Sequence, residues 1–423
     1  MTSFIIESYG CEHTIADAEQ MAGWLVQAKF EPVKTVEDAD IIIFHTCTAQ
    51  GVPGSFIEHT IEEIKKEHPY KMVILSGCMA KTQPEKWKKF PYLGPRQFHH
   101  IVEVVEERLH NNIVHFAEEE ELPPLYGPKS RKNPMREIIP IMRSCVVGCA
   151  FCKNKKSLSI QSYPLEEIVQ AARKAVEEGV REIVLTGHDT LLYGADRGIS
   201  LPVLLRELLA IPGRFKVRLG MSSPAALLSI KKEFIPLLRH DKMFQHIHLT
   251  LPSGSTALLQ EMKEEYSTRD VLSFLQEARV LIPELQVIMD LAVGFPLETE
   301  EHYWETMEFV KKCVPDAATI VPFAPLPKTE FAALQALPSE VLQHRVTMLQ
   351  NIVQNTSIIQ NERWQGWEGP AIIEERGKEK RIWMGRTTAY KPVLLEGEFT
   401  IGEIVKVRIT RVSPFELKGE VVR

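Results

Sequence analysis

The sequence predicts an α/β protein in three parts: an N-terminal parallel α/β domain over 1–117, a partial (β/α)6 barrel over 138–361, and a small all-β domain over 362–423. Three observations predict this. Strand and helix patterns alternate through two long stretches, the pattern of a parallel sheet covered by helices. A Pro-rich segment with an acidic and a basic run, 118–137, separates them as an exposed linker. After residue 361 the pattern changes to short strands at close spacing, bounded by Gly and Pro. A length of 423 residues suits two to four domains of roughly 100–200 residues each.

In the first part FIIESYGC, DIIIFHTC and KMVILSGC read as strands ending at residues 11, 47 and 78. Helical patterns cover Ala16–Lys29, Ser55–Lys66 and the closing stretch from Ile101. In the second part the strands are Ile138–Met142, EIVLTG, FKVRLGM, HIHLTL, QVIMDLAVGF and ATIVPF. Helices fall between them at Leu165–Glu178, Leu201–Leu209, Lys231–Leu238, a pair over 256–281, and Glu300–Lys312. Six strands with intervening helices suggest an open β/α barrel, and Ser339–Gln360 is a long helix leaving it. The last part has five strand patterns, AIIEERG, IWMGRTTAY, KPVLLEG, IVKVRITRV and ELKGEVV.

Composition, 44% hydrophobic and 25% charged, excludes wholesale disorder. A net charge of −6 excludes a uniformly basic nucleic-acid coat but leaves room for a local patch. The last 62 residues hold 12 Lys/Arg against 10 Asp/Glu, a mild basic excess that permits an RNA-facing module. The N-terminus lacks a basic, apolar leader, and no apolar run approaches the ~18 residues of a membrane span. The expectation is a soluble cytoplasmic protein without a membrane partner. Seven Cys are too few for a disulfide scaffold, so their placement points to metal or catalysis.

Cys145, Cys149 and Cys152 lie in SCVVGCAFC, just past a strand. Three thiolates at this spacing can hold three irons of a [4Fe–4S] cluster and leave the fourth iron open. Buried structural Cys, or zinc completed by a distant His, are the alternatives. Cys11, Cys47 and Cys78 are far apart in sequence, but each ends a strand of one parallel sheet, and the C-terminal strand ends share the edge where ligands bind. One such Cys is unremarkable; three of three read as a second [4Fe–4S] site. Cys313 ends a helix and reads as apolar filler.

These features together resemble a known family. The spacing CxxxCxFC, with Phe151 before the last Cys, is the radical S-adenosylmethionine (SAM) signature. With YGC, HTC and SGC before it and a small β domain after it, the chain resembles the MiaB/RimO-type methylthiotransferases nearly end to end. FCKNKK, SYP, LTGHDTLLYGAD, VRLGMSSP, LQEMKEEYS and GFPLET resemble the archaeal and eukaryotic branch, and GRTTAYKPVLLEG resembles the opening of a TRAM domain. The resemblance implies an auxiliary-cluster domain, a radical SAM partial barrel and a TRAM-like RNA-binding domain. It further implies two [4Fe–4S] clusters, SAM, an electron donor and a sulfur donor. The implied reaction is 2-methylthiolation of N6-threonylcarbamoyladenosine in the tRNA anticodon stem-loop. The chain departs from the family at His13 and His45, where Asn is usual, at Ser157-Leu158-Ser159 in place of Ala-Arg-Gly, at Pro252, where a Gln is missing nearby, and at Pro325–Thr329.

Further candidates follow from position. Thr186, Gly187 and Asp189 follow the second barrel strand, at the edge where SAM or substrate binds. Arg218 and Ser222 are candidates for the SAM carboxylate and ribose, though Arg218 equally suits an internal salt bridge. Asp290, Gly294 and Phe295 are candidates to line the adenine, with Gly294-Phe295-Pro296 as a plain strand terminator the competing reading. Phe151 is grouped with the cofactor residues. RNA contacts are sought among Trp383, Arg386, Tyr390, Lys391, Lys406, Arg408 and Arg411, which combine stacking rings with cations. Competing functions are methylthiolation of isopentenyladenosine tRNA or of a ribosomal-protein Asp, and a non-catalytic iron–sulfur RNA binder.

Overall fold

The computed structural model describes residues 2–47, 54–82, 84–116, 122–143, 160–323, 334–379 and 381–422. The chain forms two compact units: 1–132 with 138–140 and 166–171, and the remainder, 133–137, 141–165 and 172–423.

The first unit contains β1 (Ser3–Tyr9), α1 (Glu12–Gln27), β2 (Glu31–Pro32), β3 (Ile41–Thr46), α2 (Gly54–Glu67), β4 (Met72–Gly77), α3 (Cys78–Thr82), α4 (Pro84–Trp87), β5 (Tyr92–Leu93), α5 (Ile101–Leu109) and β6 (His115–Phe116). Its sheet runs β2-β1-β3-β4-β5-β6, parallel at every pairing. Every residue of β3 is buried, as expected of a central parallel strand covered on both faces. Ile41 and Ile43 pack with Met21 and Leu25 of α1 and Val104 and Val105 of α5. Ile42 and Phe44 face the other way, onto Ile57, Ile61 and Ile64 of α2. Lys71, just before β4, is buried and donates to the carbonyls of Val36, Glu37 and Ala39 at 2.6, 2.5 and 2.9 Å. It closes a loop that would otherwise bury three carbonyls with fewer partners.

Residues 122–132, expected as part of an exposed linker, pack against α1 instead. The Gln20 amide donates to the Pro124 carbonyl at 2.9 Å, and the N–H groups of Ser130 and Lys132 donate to the Glu19 carbonyl and carboxylate at 2.9 Å each. Leu125 is buried, and a Cβ on Gly23 would meet the Pro128 carbonyl oxygen at 2.0 Å. The Pro content that reads as a break in the sequence supplies an ordered strap along the helix.

From residue 133 on, the chain forms β7 (Arg136–Pro140), β8 (Met142–Arg143), β9 (Gln161–Ser162), α6 (Leu165–Glu177), β10 (Glu182–Thr186), α7 (Leu201–Ala210), β11 (Lys216–Leu219), α8 (Pro224–Leu238), β12 (His246–Thr250), α9 (Thr256–Glu261), α10 (Thr268–Leu281), β13 (Gln286–Val293), α11 (Glu300–Cys313), β14 (Ala317–Pro322) and α12 (Ser339–Glu362), of which 138–140 and 166–171 cluster with the first unit. Two three-stranded sheets, β11-β10-β7 and β12-β13-β14, meet through the bridges Val217–Met243 and Ser222–Leu249. The result is the six-stranded partial barrel that the alternation predicts. Ser223, Ser255, Ser267 and Thr299 each cap the next helix with a side-chain oxygen. Because Ser223 caps and Pro224 occupies the first turn, α8 begins seven residues before the Lys231 start expected from its polar pattern.

The chain ends in β15 (Glu368–Arg376), β16 (Ile382–Thr387), β17 (Pro392–Glu396), β18 (Ile404–Val412) and β19 (Leu417–Val421), closed into a barrel in the order β15-β16-β17-β19-β18. Its core is built from Trp364, Ile373, Trp383, Val393, Leu395, Val407, Ile409 and Leu417. This barrel belongs to the same compact unit as the larger one.

Candidate iron–sulfur site

Strand register brings the three N-terminal cysteines to one edge. Tyr9 aligns with Thr46 and Thr46 with Gly77 across adjacent parallel strands, which lie about 4.8 Å apart. Cys47 and Cys78 are the residues immediately after β3 and β4, and Cys11 follows Tyr9 by two. Close backbone approach sets this edge. A Cβ on Gly10 would lie 2.6 Å from Cys47 Cβ and 2.5 Å from Thr14 Oγ1. Gly77, at φ +95°, has the Thr46 carbonyl oxygen 2.2 Å from where its Cβ would stand, so the turn into α3 at Cys78 accepts only glycine.

Cys11 is the N-cap of α1 and its carbonyl accepts the Thr14 N–H at 2.9 Å. Its thiol is pushed up, first by a side-chain hydrogen bond with Cys47 and then by burial, while the N–H groups of Thr14 and His13 pull the other way. Two sulfurs sharing a proton beside amide donors at a helix N-terminus are suited to hold a cation in the proton's place. All three cysteines are partly accessible. Among the described residues no three His, Cys, Asp or Glu side chains gather around a point as one metal ion requires, so the fit to a larger cluster rests on the strand register and the thiol donor set.

Two of the departures from the family the sequence resembles, His13 and His45, lie near this edge. His45 is buried, with Nδ1 2.9 Å from Ser76 Oγ and Nε2 3.8 Å from Asp17 Oδ2. His13 is buried in the first turn of α1.

The barrel candidates divide. Cys145, Cys149, Phe151 and Cys152 lie outside the described residues, as do Ser157–Ser159 and Pro325–Thr329. The strands bracketing the cysteine segment, β8 and β9, pair antiparallel through Met142–Ser162 and Arg143–Gln161. Thr186 ends β10, with its carbonyl accepting the Ile141 N–H at 2.8 Å. A Cβ on Gly187 would press 2.7 Å from Met142 Cγ. Asp189 accepts the Leu191 N–H at 3.3 Å, and burial pushes its carboxyl up to about 6 against the pull of Ser223 and Leu191. Asp290 lies on the partly open face of β13, where Ile288, Asp290 and Ala292 alternate with buried Met289, Leu291 and Val293. Its Oδ2 is 3.0 Å from Nε2 of His248. His248 escaped the sequence reading, although the alternation of HIHLT places it on one face with Thr250.

Three sets of candidates have partners within the fold. Arg218, sought at the SAM carboxylate, donates to Glu182 at 2.9 Å and lies over the Tyr390 ring, so it is the internal salt bridge of the alternative reading. Ser222 N–H and Oγ donate to the His248 carbonyl at 3.0 and 3.1 Å, stitching β11 to β12. Phe295 is buried against Leu258, Met262 and Phe323, and Gly294, at φ +88°, has Leu342 Cδ1 2.5 Å from where its Cβ would stand. That pair terminates a strand and fills core.

Four of the seven RNA candidates are structural as well. Trp383 belongs to the small barrel's core. Lys391 is 3% exposed and pairs with buried Asp316, just before β14, at 2.7 Å. Arg386 pairs with Glu374 at 2.6 Å and lies over Tyr390, whose hydroxyl accepts from Arg136 at 3.2 Å. Lys406 and Arg408 are half-exposed but pair with Glu368 at 3.0 and 2.6 Å. Arg411 is exposed.

Comparison with known proteins agrees with this architecture. Residues 139–310 match the Radical SAM superfamily, residues 3–93 the Uncharacterized protein family UPF0004, and residues 363–422 the TRAM domain. The human threonylcarbamoyladenosine tRNA methylthiotransferase is 31% identical over 99% of this chain and 73% of its own length. A probable threonylcarbamoyladenosine tRNA methylthiotransferase of Methanothermobacter thermautotrophicus is 30% identical over 96% of each chain. In fold, the chain is similar to the radical S-adenosylmethionine methyltransferase TsrM from Kitasatospora setae, with TM-score 0.55 and 12% identity over 78% of this chain and 75% of that one. On end-to-end identity at this level, the chain belongs to the family of threonylcarbamoyladenosine tRNA methylthiotransferases, enzymes of the radical SAM class.

Proposed function

We propose that this enzyme converts N6-threonylcarbamoyladenosine next to the tRNA anticodon to its 2-methylthio derivative, using two [4Fe–4S] clusters and two SAM molecules. The observation that carries the reading is the strand register placing Cys11, Cys47 and Cys78 at one sheet edge, in a chain that also carries the Cys145, Cys149, Cys152 triad. When bound, the two clusters and SAM supply reductive cleavage of SAM to a carbon-centred oxidant and a source of sulfur.

The chain's own residues hold and orient. Cys11, Cys47 and Cys78 present three thiolates, with the α1 amides of His13 and Thr14 favouring the charged form at Cys11. His45, braced by Ser76 and Asp17, fixes the strand end just before Cys47. In the large barrel, Thr186 and Asp189 stand at the C-terminal strand edge, and Asp290 and His248 lie side by side on the partly open face. An external electron donor and sulfur donor complete the cycle, in the cytoplasm; among the described residues no helix is long and apolar enough to cross a membrane. The test is mass spectrometry of tRNA nucleosides from cells with and without the gene. Loss of the 2-methylthio form with accumulation of its precursor is the expected result; an unchanged nucleoside profile refutes the substrate assignment.

A further inference from the structure

The hairpin joining β18 to β19 carries two cations and an aromatic that the folded state does not use. Along β18, Val405, Val407 and Ile409 point into the small barrel. Strict alternation would send Arg411 inward too. A bulge between Ile409 and Arg411 inserts one residue, so Val412 returns to the core opposite Leu417 and Arg411 stands outward, directly opposite Lys418. Bulges re-aim side chains in this way, and like charges facing each other across an antiparallel pair are destabilising. Lower on the same face the cations are neutralised: Lys406 and Arg408 by Glu368, and Arg408 again by Glu420 at 3.7 Å. Among the described residues no carboxylate pairs with Arg411 or Lys418, neighbouring Glu416 included.

In the turn between the two strands, Phe415 is 73% exposed. Its backbone sits in a hydrogen-bonded turn. Ser413 Oγ accepts the N–H groups of Phe415 and Glu416 at 3.3 and 3.1 Å, and the Ser413 N–H donates to the Glu416 carbonyl at 3.0 Å. Asn361, near the end of α12, donates to the Ser413 carbonyl at 2.7 Å. An exposed ring on the same hairpin as two cations without counter-charge has the chemistry of a nucleotide holder: a face for a base and a seat for its phosphate.

We propose that this hairpin grips an unstacked nucleotide of RNA, with the phosphate between Arg411 and Lys418 and the base on Phe415. The inference rests on the tRNA reading above and moves the RNA grip from Trp383, Tyr390 and Lys391, which are engaged in the fold, to the β18–β19 tip.

The test measures affinity of the full-length protein for two probes, an unmodified anticodon stem-loop RNA and a single-stranded oligouridylate, at two salt concentrations. Phe415→Ala and Phe415→Leu are expected to weaken binding about tenfold, whereas Phe415→Trp retains it, because stacking needs a ring and not merely apolar bulk. Arg411→Gln with Lys418→Gln should lower the salt slope by about one. Matching thermal melts establish that the variants fold. If Phe415→Leu binds both RNAs as tightly as the native chain, or if the native chain binds neither, the proposal is overturned. Phe415-dependent RNA binding in an enzyme that yields no methylthio product would uphold the hairpin and refute the substrate assignment alone.

Discussion

The ring of Tyr390 lies 4.5 Å from the guanidinium of Arg218, with the guanidinium of Arg386 4.6 Å away. Tyr390 sits in a left-handed turn of the small barrel, at φ 65°, while Arg218 belongs to the wall of the large one. Glu182 joins Arg218 to Arg136, each at 2.9 Å, and Arg136 reaches the Tyr390 hydroxyl. The small barrel thus completes a buried charged floor rather than hanging as a separable module.

Tyr390→Ala is therefore expected to destabilise the protein by about 3 kcal/mol, combining lost aromatic burial with two lost cation–π contacts. Tyr390→Phe, which loses only the hydroxyl, should cost about 1 kcal/mol. Denaturant unfolding of the two variants checks the ratio. Deletion of 362–423 should yield an aggregating chain, and a soluble truncation with a native-like melt would contradict this account.

Lys391→Ala leaves Asp316 buried without its cation and should cost about 3–5 kcal/mol. Lys391→Met combined with Asp316→Asn should recover most of that loss, since the stranded charge is gone. A double variant no better than the single one in thermal unfolding would mean that packing, not charge, dominates there.

Asp189 makes a pH prediction. Its carboxyl is raised from 3.8 to about 6 by burial, so the folded state holds a proton that the unfolded state releases between those values. Its stabilising contribution is complete below about pH 3.8 and disappears as pH rises through about 6. At pH 7.5 the buried carboxylate costs on the order of 3 kcal/mol relative to the protonated form. Asp189→Asn, which can still cap Leu191, should gain stability over the native chain at pH 7.5 and lose that advantage by pH 4. Paired unfolding curves at the two pH values measure the crossover, and a gain independent of pH would exclude titration of Asp189 as its source.

Anaerobic reconstitution should give about eight irons per chain, and about four after Cys145→Ala with Cys149→Ala. Replacing Cys11, Cys47 or Cys78 by Ala should abolish methylthio product while deoxyadenosine release from SAM continues. Loss of SAM cleavage in a folded variant that keeps its remaining cluster would refute this division of labour.

Much of this architecture was legible from pattern alone. The helix over Ile101–Leu109 and the buried strand within DIIIFHTC follow from local periodicity, because each is determined by neighbours within a few residues. The start of α1 at Glu12 was not legible, because its cap is Cys11 rather than Ser, Thr, Asp or Asn. The fate of the cations was not legible either. Lys391 finds Asp316 and Arg218 finds Tyr390 across 75 and 172 residues of chain, and nothing local distinguishes a lysine that ends in a core from one that ends in solvent. The Asp290–His248 pair needed the β12–β13 register, which only the folded sheet supplies.

The glycines at the cysteine edge have a consequence for how this protein tolerates change. At Gly10 and Gly77 the spacing of the candidate ligands is set by main chain touching main chain or Cβ, not by the fit of large side chains. Drift in the Ile, Leu and Phe residues beneath should thus lower the melting point of the first unit well before it alters the distance between Cys11 and Cys47. A single methyl group at position 10 should do the reverse, spoiling the thiol arrangement in a domain that still folds.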